Sequence, residues 1–194
     1  RVYGMSATIQ RGDRQDKKML MQLGPIRHRY TAKERAQKQG IGHYVYPRFT
    51  KLVDLNPSEG KNPSDYYRLI MQSELRNMQV VSDTIDCVKR GRTPVIMTKY
   101  KEHAQKLYDM LQGSADQVFL LQGGKSLKER SAIREQMAAV RADESIILVA
   151  IGQYVGEGFN YPRLDTMLLA MPISLEGNVE QHAGRLNRDY EGKK

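Results

Sequence analysis

Ile146-Ile147-Leu148-Val149-Ala150-Ile151-Gly152-Gln153-Tyr154-Val155-Gly156-Glu157-Gly158-Phe159-Asn160 opens on the most apolar run of the chain and continues directly into a glycine-rich loop. A run without polar interruption predicts a strand buried on both faces, as in a parallel sheet. Comparable runs flank it: Val95-Ile96-Met97 and Val118-Phe119-Leu120-Leu121 before, and Thr166-Met167-Leu168-Leu169-Ala170 after. They start about 20–28 residues apart, which suits crossover connections. Helical stretches fill the intervals. Ser126-Leu127-Lys128-Glu129 has the form of a capping box opening a helix that carries Ile133, Met137 and Val140. Met78, Val81, Ile85 and Val88 recur at steps of three and four, an amphipathic helix that Gly91 can stop in a left-handed conformation. The alternation predicts an α/β fold, a mainly parallel sheet covered by helices on both faces.

The chain has 194 residues, of which 40% are hydrophobic and 27% charged. That is enough for one core, or one core plus an appendage, and excludes a disordered tail or a disulfide scaffold. No apolar run reaches the roughly 18 residues that span a bilayer, and Arg1 opens the chain without a signal-peptide pattern. Cys87 stands alone and reads as a small apolar residue on a helix. A cytoplasmic protein without a membrane partner is the expectation. The net charge of +9 is concentrated: residues 1–51 carry 12 Lys/Arg against 3 Asp/Glu, whereas residues 52–194 carry 19 of each. Such a field attracts polyanions and makes nucleic acid the leading partner; a solvated basic surface, or a face cut off from an acidic neighbour, is the alternative.

Arg1-Val2-Tyr3-Gly4-Met5-Ser6-Ala7-Thr8 starts abruptly, without an initiator Met, as a fragment would. Ile26-Arg27-His28-Arg29-Tyr30 and His43-Tyr44-Val45-Tyr46 alternate with the period of half-buried strands, separated by a helical stretch near Ala32 to Gln39. Leu55 to Pro63 collects turn formers and breakers. A domain boundary is expected there, dividing 1–55 from 56–194.

Near the end, Gln181-His182-Ala183-Gly184-Arg185-Leu186-Asn187-Arg188 follows Asn178 as a helix cap. Offsets of four and seven put Gln181, Arg185 and Arg188 on one helix face, within about 40° of one another. Two guanidiniums aimed together suit a triphosphate, because each presents a planar fork of donors and stays charged; two arginines paired to Glu180 or Asp189 on an exposed helix is the alternative. In the glycine-rich loop, Asn160 can bond a ribose hydroxyl or the helix face that follows, and Glu157 can orient a basic side chain; a glycine turn needing positive φ is the alternative. Gln122-Gly123-Gly124-Lys125-Ser126 resembles the end of a Walker phosphate loop, but Phe119 occupies the place of its first glycine. Gly124 and Lys125 remain as contacts to a nucleic-acid backbone. Thr98, taken singly, reads as a cap for the helix from Lys101 onward.

In order, these residues resemble the later half of a superfamily-two DEAD/DEAH-type helicase. Gly4 to Thr8 resembles motif III, Pro94 to Thr98 motif IV, Leu120 to Lys125 the segment after it, Val149 to Asn160 motif V and Gln181 to Arg188 motif VI. Tyr161-Pro162-Arg163-Leu164-Asp165 and Asp189-Tyr190-Glu191-Gly192-Lys193 bring the chain closer to the bacterial helicases akin to restriction and excision-repair translocases. Four positions depart: Ile9 where Pro is usual, Ile151 where a strand-contacting Thr is common, Asn160 for an Asp, and Asn187 for a His. Neither a Walker loop nor an Asp-Glu-x-Asp/His box occurs in the 194 residues.

The resemblance implies a RecA-like three-layer sandwich preceded by the end segment of a first RecA-like domain, with the missing motifs upstream of Arg1. It implies ATP and Mg²⁺ as cofactors, the magnesium held by that missing domain, and no hydrolysis by this fragment alone. Arg185 and Arg188 would be the catalytic arginine fingers. Gly156, Glu157, Gly158, Asn160 and Gln181 would bind ATP, no residue here would hold a metal, and Ser6, Thr8, Thr98, Gly124, Lys125 and Gly152 would grip the strand, with DNA favoured over RNA. The rivals are a nucleic-acid-binding module without motor action and a lapsed RecA-like domain that docks partners.

Overall fold

The computed structural model describes residues 4, 16–29, 34, 38, 40, 42–50, 62–123, 127–152, 159–172, 183, 184, 186, 188 and 190. Among these residues nine elements lie in chain order: α1 (Asp16–Leu23), α2 (Pro63–Gln72), α3 (Glu74–Lys89), β1 (Pro94–Thr98), α4 (Lys101–Met110), β2 (Gln117–Leu121), α5 (Leu127–Ala139), β3 (Ile146–Ile151) and β4 (Thr166–Leu169). The four strands form one sheet in the order β2-β3-β1-β4, every pairing parallel. All four predicted apolar runs are strands of it.

Period-two alternation divides the strand residues between two cores. Val95, Met97, Phe119, Leu121, Ile146, Leu148 and Ala150 face α5 together with Met137, Phe159 and Leu164. Ile96, Leu120, Ile147, Val149 and Ile151 face the other way, against Ala104 and Leu107 of α4 and Val80, Val81, Ile85 and Val88 of α3. Burial on both sides explains why β1 and β3 read as uninterrupted apolar runs. From β1 the chain crosses by α4 to β2 on one face, then returns by α5 to β3 on the other. Reversing direction and face together keeps both crossovers of one hand, as twisted parallel sheets demand.

Helix α3 ends as expected. Gly91 has φ of 71°, its N–H donates to the Val88 carbonyl at 2.8 Å and that of Arg92 to Cys87 at 3.0 Å, the paired bonds of a Schellman motif. One member of the predicted stripe is misplaced: Met78 is 55% exposed, and the buried positions of α3 are Asn77 and Thr84. A search for apolar periodicity passes over them because both are polar, yet each is satisfied internally. Asn77 Nδ2 donates to the Met71 carbonyl at 2.8 Å and the Thr84 hydroxyl to that of Val80 at 2.7 Å.

Other expectations need correction. Residues 26–29 and 43–46 form no strand. Tyr44, Val45 and Tyr46 are 78%, 89% and 79% exposed, and without a neighbouring strand among the described residues alternation alone builds no ladder. Asn62 and Pro63, read as breakers, begin α2 instead, with Pro63 in the first turn and the Asn62 N–H donating to Asp65 at 3.1 Å. Thr98 does not cap α4, whose N-cap is Tyr100. Glu34 and Lys38 are helical as expected; most of the Leu55–Pro63 boundary and the capping Ser126 lie outside the described residues. Arg48 clamps Asp83 of α3 through two bonds of 2.8 and 2.7 Å. Among the described residues no helix is long and apolar enough to cross a membrane.

Candidate functional site

In open parallel sheets ligands bind beyond the carboxyl ends of the strands. Thr98 and Ile151 end the adjacent strands β1 and β3 and pair in register. Thr98 and Gly152, from separate sequence motifs, therefore share one rim.

The Thr98 side chain turns inward into a buried polar relay. Since Asn77 Nδ2 donates to Met71, Asn77 Oδ1 is left to accept from His103 Nε2 at 3.0 Å. The ring proton is thereby assigned to Nε2, and Nδ1 accepts from the Thr98 hydroxyl at 2.8 Å. As placed, Thr98 reaches a phosphate only by giving up its bond to His103. The relay ties the end of α2, α3, β1 and α4 together, so every polar atom in it is costly to strand.

Burial, and secondarily Arg76 and Lys106, lower the His103 pKa from 6.5 to about 4. The unfolded chain takes up this proton near pH 6.5, the folded one only near 4. Stability that is fully present above pH 6.5 therefore drains away as the pH falls toward 4, by roughly 3 kcal/mol. His103→Gln is expected to flatten this part of the profile in chemical denaturation. An unchanged slope between pH 6.5 and 5 in the variant would contradict the relay.

A second juxtaposition joins the glycine-rich loop to the terminal motif. Phe159 is buried in the α5-facing core and Leu186 packs against the same cluster, so one apolar anchor holds two segments 27 residues apart. Just outside it, Arg188 Nη1 donates to Asn160 Oδ1. Asn160 thus meets a residue in a bend, not the helix face expected as one of its partners. The neutral amide oxygen orients the guanidinium without adding negative charge. Ala183, Gly184 and Leu186 are helical, but Arg188 stands in a bend. The predicted helix face thus does not include Arg188. A side chain at Gly184 would meet nothing within 4 Å. Ser6, Thr8, Gly124, Lys125, Gly156, Glu157, Gly158, Gln181 and Arg185 lie outside the described residues. Among those described, no three His, Cys, Asp or Glu side chains are grouped to hold a metal ion.

The stretch from Tyr161 to Asp165 is structural. Arg163 donates Nη1 to the Arg141 carbonyl at 3.0 Å and Nη2 to those of Ala142, at 3.1 Å, and Glu144. It thereby gathers the turn between α5 and β3. The Tyr161 hydroxyl donates to Met137 at 3.1 Å, and Asp165 accepts from the Thr93 N–H at 3.1 Å and the Thr166 hydroxyl at 2.8 Å. Arg163→Ala is expected to cost about 1 kcal/mol, chiefly through the partly buried Glu144 carbonyl, since water can replace the guanidinium at the exposed Arg141 and Ala142 carbonyls. An unchanged urea midpoint would contradict that role.

Sequence reasoning passed over His103 and Asn77. The legible signal was a polar residue within the apolar stripe of α3, four positions before Val81.

No protein-family profile matches the chain. Over 154 residues it is 27% identical to the transcript termination protein A18 of fowlpox virus (strain NVSL), covering 75% of this chain and 32% of that protein. The crystal structure of T4 UvsW superposes with a TM-score of 0.54 at 20% identity, over 66% of this chain and 25% of that one. The C-terminal part of the Fun30 ATPase domain gives a TM-score of 0.49 at 17% identity, over 64% and 38%. The chain thus spans about a third of the length of the viral relative and a quarter of UvsW. The fold is α/β and RecA-like, similar to that of T4 UvsW.

Proposed function

We propose that this chain is the second RecA-like unit of an ATP-dependent nucleic-acid helicase or translocase. Residues 1–55 would close the first unit and connect to residues 56–194, which form the second. The contact of Arg188 with Asn160 carries the reading. It unites two motifs that the resemblance assigns to one nucleotide, and it fixes a charged planar fork at the surface beside a rigid anchor. The likeness to a viral protein named for transcript termination, a process carried out on nucleic acid, supports the same reading.

Both residues fit a triphosphate, since a guanidinium held by a neutral amide remains a strong anion partner. The bound ATP, with Mg²⁺ held by the first unit, supplies the phosphoryl group that is transferred to water. Arg188, oriented by Asn160, and Arg185 would stabilise the charge on the γ-phosphate, and Gly156, Glu157, Gly158 and Gln181 would hold the rest of the nucleotide. Thr98, once released from His103, and Gly152 would contact the strand together with Ser6, Thr8, Gly124 and Lys125, with DNA as the favoured substrate. Cleft closure and opening would shift the grip on that strand. The working place of such a protein, with its lone Cys87, is the cytoplasm.

Strand-stimulated ATPase of the complete protein tests the reading. Turnover that rises with single-stranded DNA supports it. Salt-sensitive binding with no nucleotide turnover would overturn it in favour of a passive binding module.

A further inference from the structure

Beside the end of β1, three side chains converge that the proposed motor does not use. Lys99 Nζ lies 4.3 Å from the centroid of the Tyr67 ring and 5.8 Å from that of Tyr100, and the two rings are 5.9 Å apart at 57°. Lys99 is exposed, both rings are partly exposed, and Arg68 and Lys101 are exposed next to them in sequence. Lys99 makes no salt bridge to a carboxylate among the described residues, so its charge rests on two aromatic faces. Such a contact holds an ammonium loosely enough for a phosphate to take it over. The rings stand on packed elements: Tyr100 occupies the N-cap position of α4, and the backbone on either side of it is pinned by the relay from Thr98 through His103 to Asn77.

Resting on the nucleic-acid reading of this rim, we infer that Tyr67, Tyr100 and Lys99 form a stacking site for an unpaired nucleotide of the bound strand. A ring takes the face of the base and the ammonium takes its phosphate. Aromatic rings interleaved with cations are the combination that grips single strands without regard to sequence, each stacked base adding to the backbone electrostatics. The location agrees: the cluster adjoins the carboxyl end of β1, next to the register pair of Thr98 and Ile151.

The test is fluorescence anisotropy on the complete protein with labelled oligothymidylate and, as a second arm, oligouridylate. Tyr67→Leu and Tyr100→Leu are each expected to weaken binding by about 5- to 150-fold, while Tyr67→Phe and Tyr100→Phe retain it. Lys99→Gln is expected to lower the slope of log affinity against log salt by about one. Because the leucine variants remove partly buried surface, photocrosslinking of the wild-type protein to a 5-iodouracil oligonucleotide supplies an independent readout, with the crosslink expected on Tyr67 or Tyr100. Tighter binding of one oligonucleotide, lost in the leucine variants, supports the site and identifies which of the two strands it prefers. If the wild type binds strands but the leucine variants match it and crosslinks map elsewhere, the stacking site is refuted and the motor reading stands. If the wild type binds neither oligonucleotide, both fall together.

Discussion

Arg188→Ala in the complete protein is expected to lower strand-stimulated ATP hydrolysis by about 10³- to 10⁵-fold, the usual worth of an arginine finger. The fold should be spared. Arg188 is half-buried, its bond to Asn160 is exposed, and an exposed interaction of this kind contributes at most about 1 kcal/mol to stability. Arg188→Lys should recover little, because an ammonium keeps the charge but loses the planar fork that Asn160 orients and a phosphate would accept. Strand binding without nucleotide should survive both changes. Wild-type ATPase in the alanine variant would contradict the assignment.

Phe159→Ala is expected to act through the opposite route. Phe159 is among the largest fully buried side chains of the α5-facing core and directly precedes Asn160. Truncating a buried Phe costs about 3–5 kcal/mol from lost burial and the cavity left behind. That is a large share of a typical domain stability of about 5–15 kcal/mol. Chemical denaturation should show the midpoint falling sharply, with ATPase lost because Asn160 and Leu186 no longer share an anchor. The two substitutions therefore separate site from scaffold: one loses activity at full stability, the other loses both. A Phe159→Ala protein with an unaltered midpoint would contradict the burial on which the site is hung.

The sheet was legible because its strands are buried on two faces. Val95 to Met97 and Ile146 to Ala150 are apolar at consecutive positions, a pattern that a half-exposed strand does not produce. Gly91 was legible for a similarly local reason, since a left-handed residue after an amphipathic run has few substitutes. The period-two runs near Ile26 and Tyr44 failed because alternation describes a strand only when a sheet exists to receive it, and their exposed side chains have none among the described residues. Met78 failed because the stripe of α3 turns on Asn77 and Thr84, whose burial depends on hydrogen bonds that no hydropathy pattern records.

At the candidate site, the chemistry of Arg188 and Asn160 could be named from residue types and order, but not their mutual contact. That contact depends on Phe159 and Leu186 meeting across 27 positions, and on Arg188 leaving the helix that its spacing placed it on. Thr98 shows the reverse. Its place at the end of β1 was legible, whereas its bond to His103 arises only when α4 folds back over the sheet. Arg163 and Asp165 carry a family-like signature, yet their visible work is to tie carbonyls and strand ends together.

The most direct measurement is a crystal structure of the complete protein with a non-hydrolysable ATP analogue and magnesium. We expect the Arg188 and Arg185 guanidiniums within hydrogen-bonding reach of the γ-phosphate, with Asn160 still holding Arg188. Guanidiniums turned away from the bound nucleotide would contradict the motor assignment.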